Sequence, residues 1–66
     1  MPKQKDISQA AALLIGVYGE HAMDYAAARI EILARERKPA EMDIWTRIAD
    51  RIWEMYTPEF VGGRQH

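Results

Sequence analysis

The sequence predicts a small all-α protein, a helical hairpin or three-helix unit with helices at about 7–18, 20–37 and 40–56. Two observations favour this class. Apolar residues recur with helical spacing in each of the three segments, and Gly19 and Pro39 stand between the segments as helix breakers. With 66 residues, the chain is expected to form one domain over 1–66. A chain of this length buries only about 60% of its unfolded surface when it folds.

The first helix is expected over 7–18. Asp6 is a candidate N-cap, and Gln9 lies three residues on, where a capping-box partner belongs. The polar residues 1–5 are expected to be frayed. Helical spacing groups the apolar residues of this segment into one broad face: Ile7, Ala10, Ala11, Leu13, Leu14, Val17 and Tyr18.

Two interpretations of the first glycines stay open. Gly16 and Gly19 lie three residues apart, and each costs a helix interior about 1 kcal/mol relative to alanine. The apolar stripe centres near Leu14 and Tyr18 before Gly19 and shifts by roughly a quarter-turn after it. A kink at Gly19, with a left-handed C-cap, would turn both stripes towards one core. One long helix with heptad spacing is the alternative, and the break is favoured.

The second helix is expected over 20–37, where its basic last turn suits the helix dipole. Pro39 ends that helix and suits the first turn of the third, over 40–56. Phe60 and Val61 are candidates for docking back onto the core, and residues 62–66 are expected to be mobile. The third helix has a strong apolar stripe, made of Ile44, Trp45, Ile48, Ala49, Ile52, Trp53, Met55 and Tyr56.

Composition narrows the function classes. The chain has no cysteine, which excludes disulfides and thiolate metal sites and is compatible with the predicted cytoplasmic location. The formal net charge is −1, with acids and bases interspersed, which disfavours nucleic acid and anionic membrane surfaces as partners. The longest apolar run, Ala10–Val17, is far shorter than the ~20 residues of a membrane span.

The chain resembles a family of short uncharacterised bacterial helical proteins. The resemblance rests on three segments: Tyr18-Gly19-Glu20-His21-Ala22, Ala26-Ala27-Ala28-Arg29 and Trp45-Thr46-Arg47-Ile48. It implies a small helical fold and carries no activity to transfer. Members often have a Gly-Asp turn before the last helix, and this chain has Arg37-Lys38-Pro39 there instead.

One cluster has metal-ligand chemistry. Glu20, His21 and Asp24 lie within about one helical turn, so two oxygens and one nitrogen can converge. The favoured interpretation is structural, with acids at a helix start beside a half-exposed histidine, and no metal or cofactor site is assigned. No enzyme is expected, because Ser8 has no adjacent base and no glycine-rich phosphate loop is present.

Arginines offer further candidate sites. Arg29 lies one turn from Tyr25 and either anchors a partner carboxylate above that ring or lays its stem on apolar surface with its head in water. The second interpretation is favoured; a buried Arg29 should pair with Asp24, Glu31 or a carboxylate of another subunit. Arg47 and Arg51 share a face with two acids, and ion-paired surface is expected there.

The predicted function is a non-catalytic protein–protein interaction or assembly module that self-associates as a homodimer, with a larger protein as a further partner. One alternative is a dimeric nucleic-acid-binding regulator that aligns Arg35, Arg37 and Lys38 of two subunits into a basic ridge. The other is a weak metal-binding assembly that uses Glu20, His21 and Asp24. The residues expected to carry the interaction are Leu14, Tyr18, Tyr25, Arg29, Trp45, Ile48, Ile52, Trp53 and Tyr56.

Overall fold

The computed structural model describes residues 3–56, which are 93% helical and contain no strand. The chain order is α1 (Gln4–Tyr18), a 3₁₀ turn (Gly19–His21), α2 (Ala22–Arg35) and α3 (Pro39–Tyr56). The predicted all-α class is therefore confirmed. The expectations for Phe60–Val61 and for 62–66 fall outside the described residues.

Helix α1 begins three residues earlier than predicted. Lys3 is its N-cap, and the Lys3 amide donates a hydrogen bond to Asp6 Oδ2 at 3.3 Å. Asp6 therefore acts from the third helical position, as the acid of a capping box does, and the prediction that it is the N-cap is wrong. Since this carboxylate satisfies the helix start from inside the first turn, Gln4 and Lys5 are helical rather than frayed.

The helix breaks at Gly19, as favoured from the sequence. Gly19 has φ 56° and ψ −127°, and its amide still donates to the carbonyl of Ile15. The φ is positive as expected, but the ψ lies far from the ~+47° of a left-handed helical residue, so the predicted left-handed C-cap is wrong in that angle. A 3₁₀ turn follows, so α2 begins at Ala22 rather than at 20.

The junction between α2 and α3 is a tight C-cap. The Lys38 amide donates to the Leu33 carbonyl at 3.0 Å and the Arg37 amide to the Ala34 carbonyl at 3.2 Å, the two bonds of a Schellman motif. Arg37 has φ 58°, at the position where this motif usually has glycine. The helix therefore ends at Arg35 rather than at 37, and Pro39 occupies the first turn of α3.

Helix α3 packs along both α1 and α2, which contact each other less. Half of the buried residues are alanines, which lets the helix backbones approach closely. Among residues 3–56, only two large side chains, Leu33 and Ile52, are less than 2% exposed. The buried residues are Ile7 and Ala11 of α1, Ala22, Ala26 and Leu33 of α2, and Ile48, Ala49 and Ile52 of α3.

Candidate interaction surface

Three aromatic rings and one arginine meet where the helices converge. Tyr18, the last residue of α1, stacks across the Gly19 kink on Tyr25 of α2, with ring centroids 4.7 Å apart and planes 13° from parallel. Tyr25 in turn contacts Trp45 of α3 at 5.8 Å and 59°, and Arg29 Cζ lies 5.6 Å from the Trp45 centroid. These four residues, here called the Tyr–Trp–Arg cluster, link all three helices.

Arg29 packs on Trp45 rather than on Tyr25, the ring named in the interpretation that was not favoured. Indole is the better cation–π partner, and Trp45 reaches Arg29 from the facing helix. The Arg29 Nε is buried without a hydrogen-bond acceptor among the described residues. Asp24 contacts His21 and Glu31 contacts Arg35, so neither of these two predicted carboxylates pairs with Arg29 within the chain. The guanidinium is therefore held mainly by the ring.

The aliphatic members of the predicted interaction set lie inside the protomer. Ile48 and Ile52 are 6% and 1% exposed and belong to the core, and Leu14 is half-buried against that core. While the chain keeps this fold, Ile48 and Ile52 cannot reach a partner. Helical spacing marked them as apolar anchors, and they anchor α3 to α1 and α2.

The two tryptophans have different surroundings. Trp45 is half-buried in the Tyr–Trp–Arg cluster, whereas Trp53 and Tyr56, near the end of α3, are 56% and 50% exposed. Residues eight positions apart differ by about 80° around a helix. The single apolar stripe predicted for α3 therefore does not give Trp45 and Trp53 the same surroundings.

The structure exposes one surface that the sequence interpretation assigned to the interior. Leu13 and Val17 are each 69% exposed, and the intervening Gly16 has nothing within 4 Å of the position that a Cβ would take. Together with Gln9 and Ala12, which are also exposed, these residues form the outer face of α1. At about 100° per residue, Leu13 and Gly16 point away from the core side of the helix.

The outer face of α1 is also free of charge. Residues 7–19 contain no Asp, Glu, Lys, Arg or His, whereas the exposed sides of α2 and α3 carry ion pairs. The absence of charge from residue 7 to the end of the helix, on its solvent side as well as its core side, is the signal from which this surface could have been recognised in the sequence.

The predicted metal-ligand cluster does not converge on one point. His21 Nδ1 lies 3.4 Å from Asp24 Oδ2, and His21 Nε2 lies 3.7 Å from Glu20 Oε2. The two carboxylates therefore face opposite nitrogens of one imidazole ring, each of which binds a metal in its own direction. Within residues 3–56 there is no group of three or more potential ligands placed to hold a metal ion.

Acidic neighbours neutralise much of the positive charge of the predicted basic ridge. Arg35 Nη2 lies 3.6 Å from Glu31 Oε2, and Lys38 Nζ lies 3.5 Å from Glu36 Oε1. The pairing on α3 follows the same pattern, with Arg47 Nε 3.1 Å from Asp43 Oδ2. These surfaces present alternating charge rather than the clustered cations that capture nucleic acid.

Arg51 forms a contact between helices in addition to the predicted surface ion pair. Its Nη1 lies 2.8 Å from Glu54 Oε1, and its Nε donates to Ser8 Oγ of α1 at 2.9 Å in a part-buried bond. Beside it lies an open groove of about 190 Å³ that is lined by charged and polar side chains of α3 and by Gln4. Ser8 thus joins two helices and faces a guanidinium, which is not a general base.

Searches against protein-family models, curated proteins and solved structures find no match to this chain. None of the helices described between residues 3 and 56 combines the length and apolar character needed to cross a bilayer.

Proposed function

We propose that this chain is a non-catalytic helical module that acts by association, in the first place with a second copy of itself and further with a larger protein. The observation that carries the proposal is the outer face of α1, where Leu13 and Val17 stand 69% exposed on a helix without a charged residue between positions 7 and 19.

A helix that is apolar on all sides is normally buried on all sides. Within residues 3–56, helix α1 contacts α2 and α3 along its core side, through residues such as Ile7 and Ala11. Among these described residues its other side has no apolar neighbour, although such a composition calls for one. Contiguous exposed apolar surface of this kind is typical of protein–protein contact sites.

Size supports the same proposal. A domain of 66 residues usually needs a disulfide, a metal or a partner subunit to reinforce a small core. A disulfide is impossible without cysteine, so association is a means of reinforcement open to this chain. The lack of cysteine is also compatible with the cytoplasm, where we propose that the protein acts.

Sedimentation equilibrium or light scattering across a dilution series tests this function. We expect the average mass to rise from 7.6 kDa towards twice that value between about 1 µM and 1 mM, the range that corresponds to weak association. A folded chain that stays at the monomer mass over the whole range would refute self-association.

A further inference from the structure

We infer that two copies of this chain pair through the outer face of α1, with the two α1 helices antiparallel about a two-fold axis that passes between Ala12 and Leu13. This inference rests on the proposed self-association and adds the surface, the direction and the register. The outer face is the set defined above: Gln9, Ala12, Leu13, Gly16 and Val17.

Symmetry favours a second copy as the occupant. A two-fold interface places the same surface on both sides, so any charge near the axis meets the like charge of the other copy. The exposed sides of α2 and α3 carry charges such as Glu31, Arg35 and Arg47, whereas the outer face of α1 carries none. It can therefore face itself without electrostatic cost.

The ends of α1 determine the direction. Lys3 and Lys5 are exposed at its N-terminal end, where the only acid, Asp6, accepts the bond from the Lys3 amide. Glu20 and Asp24 follow the C-terminal end with side chains 76% and 82% exposed. Antiparallel helices bring the basic end of each copy next to the acidic end of the other. Parallel helices would place like charges together.

The register follows from the side-chain sizes along the face. With the axis between Ala12 and Leu13, the large Leu13 meets the small Ala12 of the second copy, and Gln9 meets Gly16. The same register brings Lys5 of each copy to the end of the other copy's α1 (Gln4–Tyr18), beside the turn that carries Glu20. Large side chains thus face small ones, which permits close helix packing.

The area available sets the expected strength. A stable interface takes about 800 Å² from each partner, roughly a sixth of the 4890 Å² accessible surface of this chain. One face of a 15-residue helix supplies less than that. The dimer is therefore a weak one that exchanges with monomer and dissociates within the dilution series.

Charge reversal tests the direction and the register in the full chain. At low salt, Lys5→Glu and Glu20→Lys should each raise the dimer dissociation constant by about three- to tenfold, since each puts like charges together at two symmetric places. The double variant should return close to the wild-type value, and the differences should shrink at high salt. Lys38→Glu changes the net charge as Lys5→Glu does but lies off this face, and it should leave dimerisation unchanged.

Leu13→Glu tests the surface itself. It places two carboxylates beside the axis and should weaken the dimer by about tenfold or more, the effect of losing roughly one buried apolar contact on each side. Because Leu13 is 69% exposed, the monomer should keep its helical circular dichroism. Should Leu13→Glu nevertheless unfold, the charge-reversal set at exposed positions still decides the matter.

Engineered cysteines distinguish antiparallel from parallel pairing, because the natural chain has none. Leu13→Cys should cross-link two copies on oxidation, whereas Lys5→Cys should not, since the axis separates its two copies by about 22 Å at 1.5 Å per residue. Efficient cross-linking through Lys5→Cys would overturn the antiparallel arrangement.

Each outcome has a separate meaning. A wild-type dimer that is insensitive to Leu13→Glu and to both single charge reversals would overturn this inference and leave the proposed self-association standing. A wild-type chain that stays monomeric would overturn both. Loss of dimer in the single variants with recovery in the double variant would establish the pairing.

Discussion

Gly16 and Gly19 offer a matched pair of glycine-to-alanine substitutions for which the structure predicts opposite effects. Gly16 is helical, and an added Cβ would meet nothing within 4 Å, so alanine should stabilise the fold by about 0.5–1 kcal/mol through its better helix propensity. Gly19 has equally open surroundings but a φ of +56°. Alanine there incurs about 1–3 kcal/mol of backbone strain, offset in part by about 0.4–1 kcal/mol of lost unfolded-state entropy.

The assay is thermal unfolding followed by circular dichroism, with both variants and the wild type at one protein concentration because association shifts the melting temperature. At about 4–8 °C per kcal/mol for a domain of this size, Gly16→Ala should raise Tm by about 2–8 °C. Gly19→Ala, with a net loss of up to about 2.6 kcal/mol, should lower Tm by up to about 20 °C. If Gly19→Ala also raised Tm, the helix would run on through residue 19 and the break would be refuted.

Two further stability predictions follow from single contacts, and urea unfolding measures both. Arg37→Gly should stabilise the chain by about 0.5–1 kcal/mol, because glycine occupies positive φ without strain, while the neighbouring Glu36→Gly, at φ −83°, should destabilise it. Arg51→Met should lose about 0.5–1.5 kcal/mol more than Arg47→Met, because both arginines have an acidic partner on α3 but only Arg51 also donates to Ser8. Equal losses would show that the bond to Ser8 contributes nothing.

Much of the fold could be predicted because local signals determine it. The apolar spacing around Ile48 and Ile52 marks the buried side of α3, and the positive φ of Gly19 occurs where the stripe changes phase. Pairs four residues apart, such as Asp43 with Arg47, also form, as helical spacing favours. The helix ends were predicted less accurately. Asp6 was expected as the N-cap of α1, and it is instead the third residue of that helix.

The orientation of α1 could not be predicted, for a physical reason. When apolar residues surround a helix, spacing shows that it is a helix but does not show which side faces the core. Leu13 and Leu14 are adjacent and chemically identical, yet one is 69% exposed and the other packs against the core. Which of the two leucines is buried depends on how α1 is placed against α2 and α3, and that placement is a property of the tertiary fold.

The two apolar sides of α1 complement each other energetically. In the core on its inner side, Ala11 of α1 and Ala22 and Ala26 of α2 let the helices approach closely, but each buries little apolar area, and within residues 3–56 only Leu33 and Ile52 add large side chains below 2% exposure. Hydrophobic stabilisation grows with the apolar area removed from water, so this core alone provides a modest driving force. If a second copy covers the outer side, Leu13 and Val17 add buried area without any change in the protomer. Mass action would then couple dimerisation to folding stability, so that covering the exposed face of α1 would reinforce the fold of the same chain.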